Sequence, residues 1–271
     1  MTQLDDPTTA DAVSGRPADP ESVQMFVNDI PFGFDLSDSG NEITGDATIT
    51  DALRFPGSEL PRASVLATIA DCMAGIPACH ATAPQLAVTL DIVVRNVAER
   101  CGDRLEIAGE IIKQGRSTVA GEVRFTDART KALVALSYVT FMASPRPQDL
   151  APVLHRGMRT TGSMTTPLPE FVGVRPVAPG VAEVDLVHFV MQASRTLQGG
   201  VFGLLAEVAA ESMTQSPVLD LDIRYLSAVR VGPGRATATL LGEDLVRVEV
   251  RDRGSDDRLA SLIFLRMAPA G

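Results

Sequence analysis

The chain has 271 residues, with no tryptophan, two tyrosines, three cysteines and three histidines. Aromatic residues make up 4%, too few for the stacked platforms on which single-stranded bases are held. Lys and Arg number 24 against 34 Asp and Glu, a net charge of −10, so nucleic acid is not an expected partner. A local arginine cluster can still hold a phosphate-bearing ligand against that overall sign. Cys72, Cys79 and Cys101 are odd in number and show no ligand or redox spacing, so reduced thiols used as small hydrophobes are expected. His80, His155 and His188 are scattered, with no second ligand at helical or turn spacing, and no metal is expected. Residues 1–20 are acidic and rich in Pro, Thr and Ala, without the apolar segment of a signal peptide. The longest apolar stretch, Ala63 to Cys79, is interrupted by Asp71 and Pro77 and reads as too short to cross a bilayer. A cytoplasmic protein with no membrane partner is expected.

What is present is a hydrophobic fraction of 45% and one pattern written twice. Ser64-Val65-Leu66-Ala67-Thr68-Ile69-Ala70-Asp71 is followed by Thr89-Leu90-Asp91-Ile92-Val93-Val94-Arg95. Gly199-Gly200-Val201-Phe202-Gly203-Leu204-Leu205-Ala206-Glu207 is followed by Asp220-Leu221-Asp222-Ile223-Arg224-Tyr225-Leu226. Each copy is an apolar helix with one carboxylate, then an alternating strand, and repetition of a whole unit decides architecture. The first copy reads as strands within Phe32–Thr50, a helix from Ser64 to Ile76 stopped by Pro77, and strands at 87–97, 104–113, 117–126 and 132–142. The second reads as strands within 172–189, a helix from Gly200 to Met213, and strands at 219–227, 235–241, 245–252 and 259–267. Residues 1–21 read as a disordered tail, 22–145 as the first domain, 146–168 as a Pro-rich linker and 169–271 as the second domain. Both helices are apolar nearly all round, hence buried. The economical arrangement is α+β, with two antiparallel sheets each wrapped around a long central helix.

These residues resemble the hotdog-fold thioesterases, in particular the phenylacetyl-CoA-type (PaaI-like) branch. That branch has an H-G-G segment opening the central helix, an Asp or Glu nine residues after the His, and a T-hydrophobic-D/E-hydrophobic strand. Gln198-Gly199-Gly200 with Glu207 fits the first part, with Gln for His. Val88-Thr89-Leu90-Asp91-Ile92, Gly115-Arg116-Ser117 and Val134-Ala135 fit the rest. The pattern fails at Arg62-Ala63-Ser64, where the first copy would need H-G-G. The resemblance covers about residues 30–268 and implies a tandem double hotdog acting on an acyl-CoA.

Asp71 and Glu207 are single carboxylates on apolar helices, where burial raises the pKa toward that of a general base. Gly199 and Gly200 open a helix, whose free N–H groups and dipole favour a developing oxyanion. Gly199 and Glu207 stand roughly 12 Å apart along one helix, so they do not serve one carbonyl. By analogy with the family's inter-subunit site, one composite site joins the Gly199 N–H and the Gln192 amide to Asp71 and Thr89. A second would join Ala63 and Pro56 to Glu207 and Asp220; Pro56 has no donor and Asp220 adds a second negative charge. The first is expected to be active, with a working Glu207 as the alternative. Coenzyme A is part of the substrate, with no separate cofactor. Its phosphates are expected at Arg95, Lys113, Gly115, Arg116 and Ser117, with Gly200 giving close approach to the thioester. A non-catalytic acyl-CoA binder remains the other reading. A hydratase is disfavoured because the His five residues after the Asp is replaced by Ile76 or Ser212. A fused pair already completes the basic dimer, so a monomer as pseudo-dimer or a homodimer as pseudo-tetramer is expected.

Overall fold

The structure is a computed structural model that describes residues 26–144, 156–160, 162–192 and 194–269. The predicted tail lies outside the described residues, as do residues 146–155 and 161 of the predicted linker.

The first half opens with strands β1 (Phe32–Leu36) and β2 (Glu42–Thr48), joined through the predicted turn at 38–41. Helix α1 (Ala63–Thr82) follows, then β3 (Ala87–Asn96), β4 (Arg104–Gln114), β5 (Thr118–Asp127) and β6 (Leu133–Ala143). The described part of the linker supplies β7 (Gly157–Arg159), which pairs with β1 and so belongs to the sheet. The second half has a short helix α2 (Leu168–Val172), β8 (Arg175–Ala178), β9 (Val181–Val184), helix α3 (Gly199–Thr214), β10 (Val218–Tyr225), β11 (Gly234–Leu240), β12 (Leu245–Asp252) and β13 (Arg258–Met267).

Alternation sets which strand face is buried: along β4, Leu105, Ile107 and Gly109 point inward while Glu106, Ala108 and Glu110 face solvent. Helix α1 packs on β1 to β6 and α3 on β8 to β13, with both helices touching β10. The expected pair of separate sheets is corrected by a single 13-stranded sheet in the order β7-β1-β2-β4-β5-β6-β3-β10-β13-β12-β11-β9-β8. The fusion occurs where β3 and β10 pair antiparallel, with Ile92 opposite Ile223, both fully buried. Each is the strand that follows a central helix; pairing the two covers two edges that would otherwise expose unsatisfied backbone groups.

Helix α1 also runs past Pro77, where it was expected to stop. Proline removes the N–H that would bond the Met73 carbonyl. That carbonyl lies over Gly109 of β4, where a Cβ would sit 3.5 Å from it, so the glycine lets sheet and helix approach. The resulting 20-residue helix is long and apolar enough to cross a membrane by length and composition, against the expectation from sequence. In this fold it is a core helix, with Val65, Leu66, Ile69 and Met73 fully buried.

Candidate active site between two helix starts

Helices α1 and α3 run antiparallel and touch through small residues. Ser64 Cβ lies 3.4 Å from the position a Cβ would take on Gly203, and Asp71 Oδ2 lies 3.2 Å from that on Gly199. Between them, a Cβ on Gly200 would collide with Thr68 Oγ1. Each helix therefore presents its start to the carboxylate of the other, and the two junctions are built differently.

At the first junction Asp71 faces the start of α3. Thr89 Oγ1 donates to Asp71 Oδ1 at 2.8 Å, and Tyr225 Oη donates to the Gly199 carbonyl at 2.9 Å. The N–H of Gly200 is held by Gln198 Oε1 at 2.8 Å. Among the described residues no acceptor is bonded to the Gly199 N–H, one of the donors a helix start leaves free. Burial pushes the Asp71 carboxyl up to about 6, with the Thr89 hydrogen bond pulling it down. Burial first, and then the charge of Asp71, push the neighbouring Cys72 thiol up to about 12, so it stays a thiol.

At the second junction Glu207 faces the start of α1. It is 0% exposed and fully occupied. Ser64 N–H donates to Oε1 at 2.8 Å, Ser64 Oγ donates to Oε2, and Arg62 Nη1 lies 3.4 Å from Oε2. The same Nη1 reaches Glu211 at 2.7 Å, and the Arg62 side chain is only 4% exposed. Burial raises the Glu211 carboxyl to about 7, opposed by Arg62. Glutamate is one methylene longer than aspartate, and here that length carries the carboxylate onto the helix-start N–H itself. The second carboxyl beside Glu207 is thus Glu211, not Asp220, which instead accepts from Asn96 N–H at 3.1 Å and Arg266 at 2.8 Å.

The other predicted residues divide. Gln192, expected to touch the thioester carbonyl, is exposed, and its Nε2 donates to Thr196 Oγ1 at 2.8 Å. The turn containing Lys113, Gly115, Arg116 and Ser117 is exposed. It shares an end of the sheet with the first junction, because Gln114, Val119, Phe141 and Thr89 form one row across four strands, about 14 Å wide at the usual strand spacing. Arg95 is not brought there. It lies six residues along β3 from Thr89, roughly 20 Å, and pairs with Asp222 at 3.7 Å. Gly200 serves the helix contact with Thr68. Among the described residues no group of three His, Cys, Asp or Glu gathers as a metal site.

A cleft of about 760 Å³ lies over the second junction, lined by Arg54, Pro56, Arg62, Pro169, Val174 and Arg175 among others. Its size does not make it the reactive site. The carboxylate beneath it is sealed by Arg62 and Ser64, whereas Asp71 retains partial solvent access opposite an unused donor. Sequence reasoning passed over Arg62, Glu211 and Tyr225. The signal for the first two was two glutamates four apart on one apolar helix, a spacing that places like charges side by side and demands a cation.

No family model and no curated protein matches the sequence. Solved structures match in fold. An acyl-ACP thioesterase from Bacteroides thetaiotaomicron has a TM-score of 0.59 at 12% identity, over 86% of this chain and 100% of its own. A 12:0-ACP thioesterase from Umbellularia californica has a TM-score of 0.56 at 10% identity, over 84% and 98%. A conserved protein of unknown function with a hotdog fold, from Alicyclobacillus acidocaldarius, has a TM-score of 0.52 at 13% identity, over 92% and 100%. With its large antiparallel sheet packed on long helices, this chain has a hotdog fold, and thioesterases are among its structural neighbours.

Proposed function

We propose that the chain is a tandem double hotdog of the phenylacetyl-CoA type that hydrolyses an acyl-CoA thioester to a free acid and coenzyme A, with one working site per chain. The observation that carries this reading is the meeting of Asp71 with the start of α3 while the Gly199 N–H is unused. The Asp71 carboxylate takes a proton from a water held with Thr89, and the resulting hydroxide forms the bond to the thioester carbon. The Gly199 N–H receives the oxyanion, an interaction worth about 3 kcal/mol per donor in comparable sites. The C–S bond then breaks and the thiolate takes the proton from Asp71. The second junction offers a parallel within the chain, since a carboxyl oxygen of Glu207 already accepts from the Ser64 N–H at the start of α1. The Lys113–Ser117 turn, at the same end of the sheet, is assigned the phosphates of the carrier. Two of the neighbours are named for acyl-ACP, so both carriers belong in the test.

One observation favours a second reading, an acyl-CoA binder without turnover: an N–H of the Gln192 amide is engaged by Thr196. Purified protein mixed with acyl-CoA and acyl-ACP thioesters of several chain lengths, with thiol release followed, separates the two. Catalytic release from an acyl-CoA is expected. Binding without release selects the second reading, and release from acyl-ACP alone removes coenzyme A as the carrier.

A further inference from the structure

The start of α3 is a Gly-Gly pair, the backbone with the widest conformational freedom. A donor stabilises a developing charge fully only if its direction is set beforehand. In this fold two side chains from outside the helix interior hold the peptide that follows the Gly199 N–H. The Gly199 carbonyl and the Gly200 N–H belong to one peptide plane. Tyr225 Oη binds the carbonyl end at 2.9 Å and Gln198 Oε1 binds the N–H end at 2.8 Å. The Tyr225 ring is itself fixed by Phe202, edge to face, with centroids 5.4 Å apart and an interplanar angle of 83°.

Tyr225 and Asp71 also converge on the same residue. A Cβ on Gly199 would lie 3.2 Å from Tyr225 Oη and 3.2 Å from Asp71 Oδ2. Tyr225 reaches this point because it is the last residue of β10, the strand that the second half pairs with β3. The sheet junction between the halves and the helix start are therefore tied by one hydroxyl. Burial and the charge of Asp71 push this phenol well above its ordinary value, so it remains a donor at any working pH.

We infer that Tyr225 is a positioning residue that, together with Gln198, pins the Gly199–Gly200 peptide and so fixes the Gly199 Cα, leaving the adjoining Gln198–Gly199 peptide, held by the Val201 N–H on the Gln198 carbonyl at 3.1 Å, to aim the Gly199 N–H at the reacting carbonyl. Its activity readout rests on the thioesterase reading; its structural readout does not. The test is Tyr225→Phe, which keeps the ring contact with Phe202 and leaves the Gly199 carbonyl its helical partner. Gln198→Ala, which releases the other end of the same plane, is the second variant. Thioester hydrolysis is measured with amide hydrogen exchange at Gly199 and Gly200 in glycine-labelled protein. Each variant is expected to lower kcat by roughly tenfold to a hundredfold, with KM within about twofold. The acid limb of the pH profile stays where Asp71 places it, and exchange at Gly200, whose N–H is bonded to Gln198, speeds up at an unchanged unfolding midpoint. Unchanged kcat with unchanged exchange in folded Tyr225→Phe overturns the proposal. So does a rise in KM at constant kcat, which would make Tyr225 a substrate contact. If the wild-type protein hydrolyses no thioester, the thioesterase reading falls and the exchange comparison alone decides whether Tyr225 pins the peptide.

Discussion

Asp71 shows what was legible in single residues and what was not. Its place on an apolar helix announced a desolvated carboxylate, and the fold puts its pKa at about 6. Thr89 is expected from the sequence to hold the water beside it, and in the fold its hydroxyl donates to Asp71 at 2.8 Å. Arg62 was visible only as a departure from a glycine pattern; its meeting with Glu207 and Glu211 needed two helices to be docked. Tyr225 and Gln192 were likewise beyond local reading, because which atom an exposed or strand-end side chain reaches is a property of the loops around it. Asp71 must be ionised to take a proton, so kcat/KM is expected to be level above about pH 6 and to fall about tenfold per unit below it. An acid limb set near pH 4 would mean that Asp71 is not the base. The same shift acts on stability. The folded chain binds this proton more tightly than the unfolded chain does, so stability declines as pH rises from about 4 to 6. Asp71→Asn is therefore expected to stabilise the protein at pH 7, by up to about 3 kcal/mol, and denaturant unfolding measures it.

The helices and strands followed from periodicity almost throughout, because alternation and all-round apolar runs are direct records of burial. The exceptions were β7 in the predicted linker, the short helix α2 and Pro77. Proline usually ends a helix, and here packing of Met73 against Gly109 supports a continuation that local preference opposes. The docking of α1 on α3 depends on a residue whose role was read differently. Gly200 was assigned to substrate approach, yet its hydrogen faces Thr68. Gly200→Ala is expected to cost about 1–3 kcal/mol through overpacking, with part of that recovered in the Gly200→Ala/Thr68→Ala double variant because the two sites share one contact. A Gly200→Ala chain as stable as the wild type in urea titration would show that the helices have slack at this point.

Across the two halves, the repeat in the sequence foretold equivalent parts but not how they join. Strands of two sheets carry the same alternation as strands of one, and only the backbone pairing of Ile92 with Ile223 distinguishes them. The same join brings Asp71 of one half to the start of α3 in the other. The repeat also suggested two comparable junctions, whereas one methylene and one arginine make them opposites. Glu207 fills the start of α1 and Asp71 stops short of that of α3. A sealed junction holds structure and an open one offers chemistry, so the account rests on this asymmetry.

The most direct measurement is a side-by-side comparison of thioester hydrolysis by Asp71→Asn and Glu207→Gln. Loss of kcat/KM by about a hundredfold or more is expected in the first, and a value within about threefold of wild type in the second. Equal activity of Asp71→Asn and wild type, or a collapse in Glu207→Gln matching that of Asp71→Asn, would contradict it.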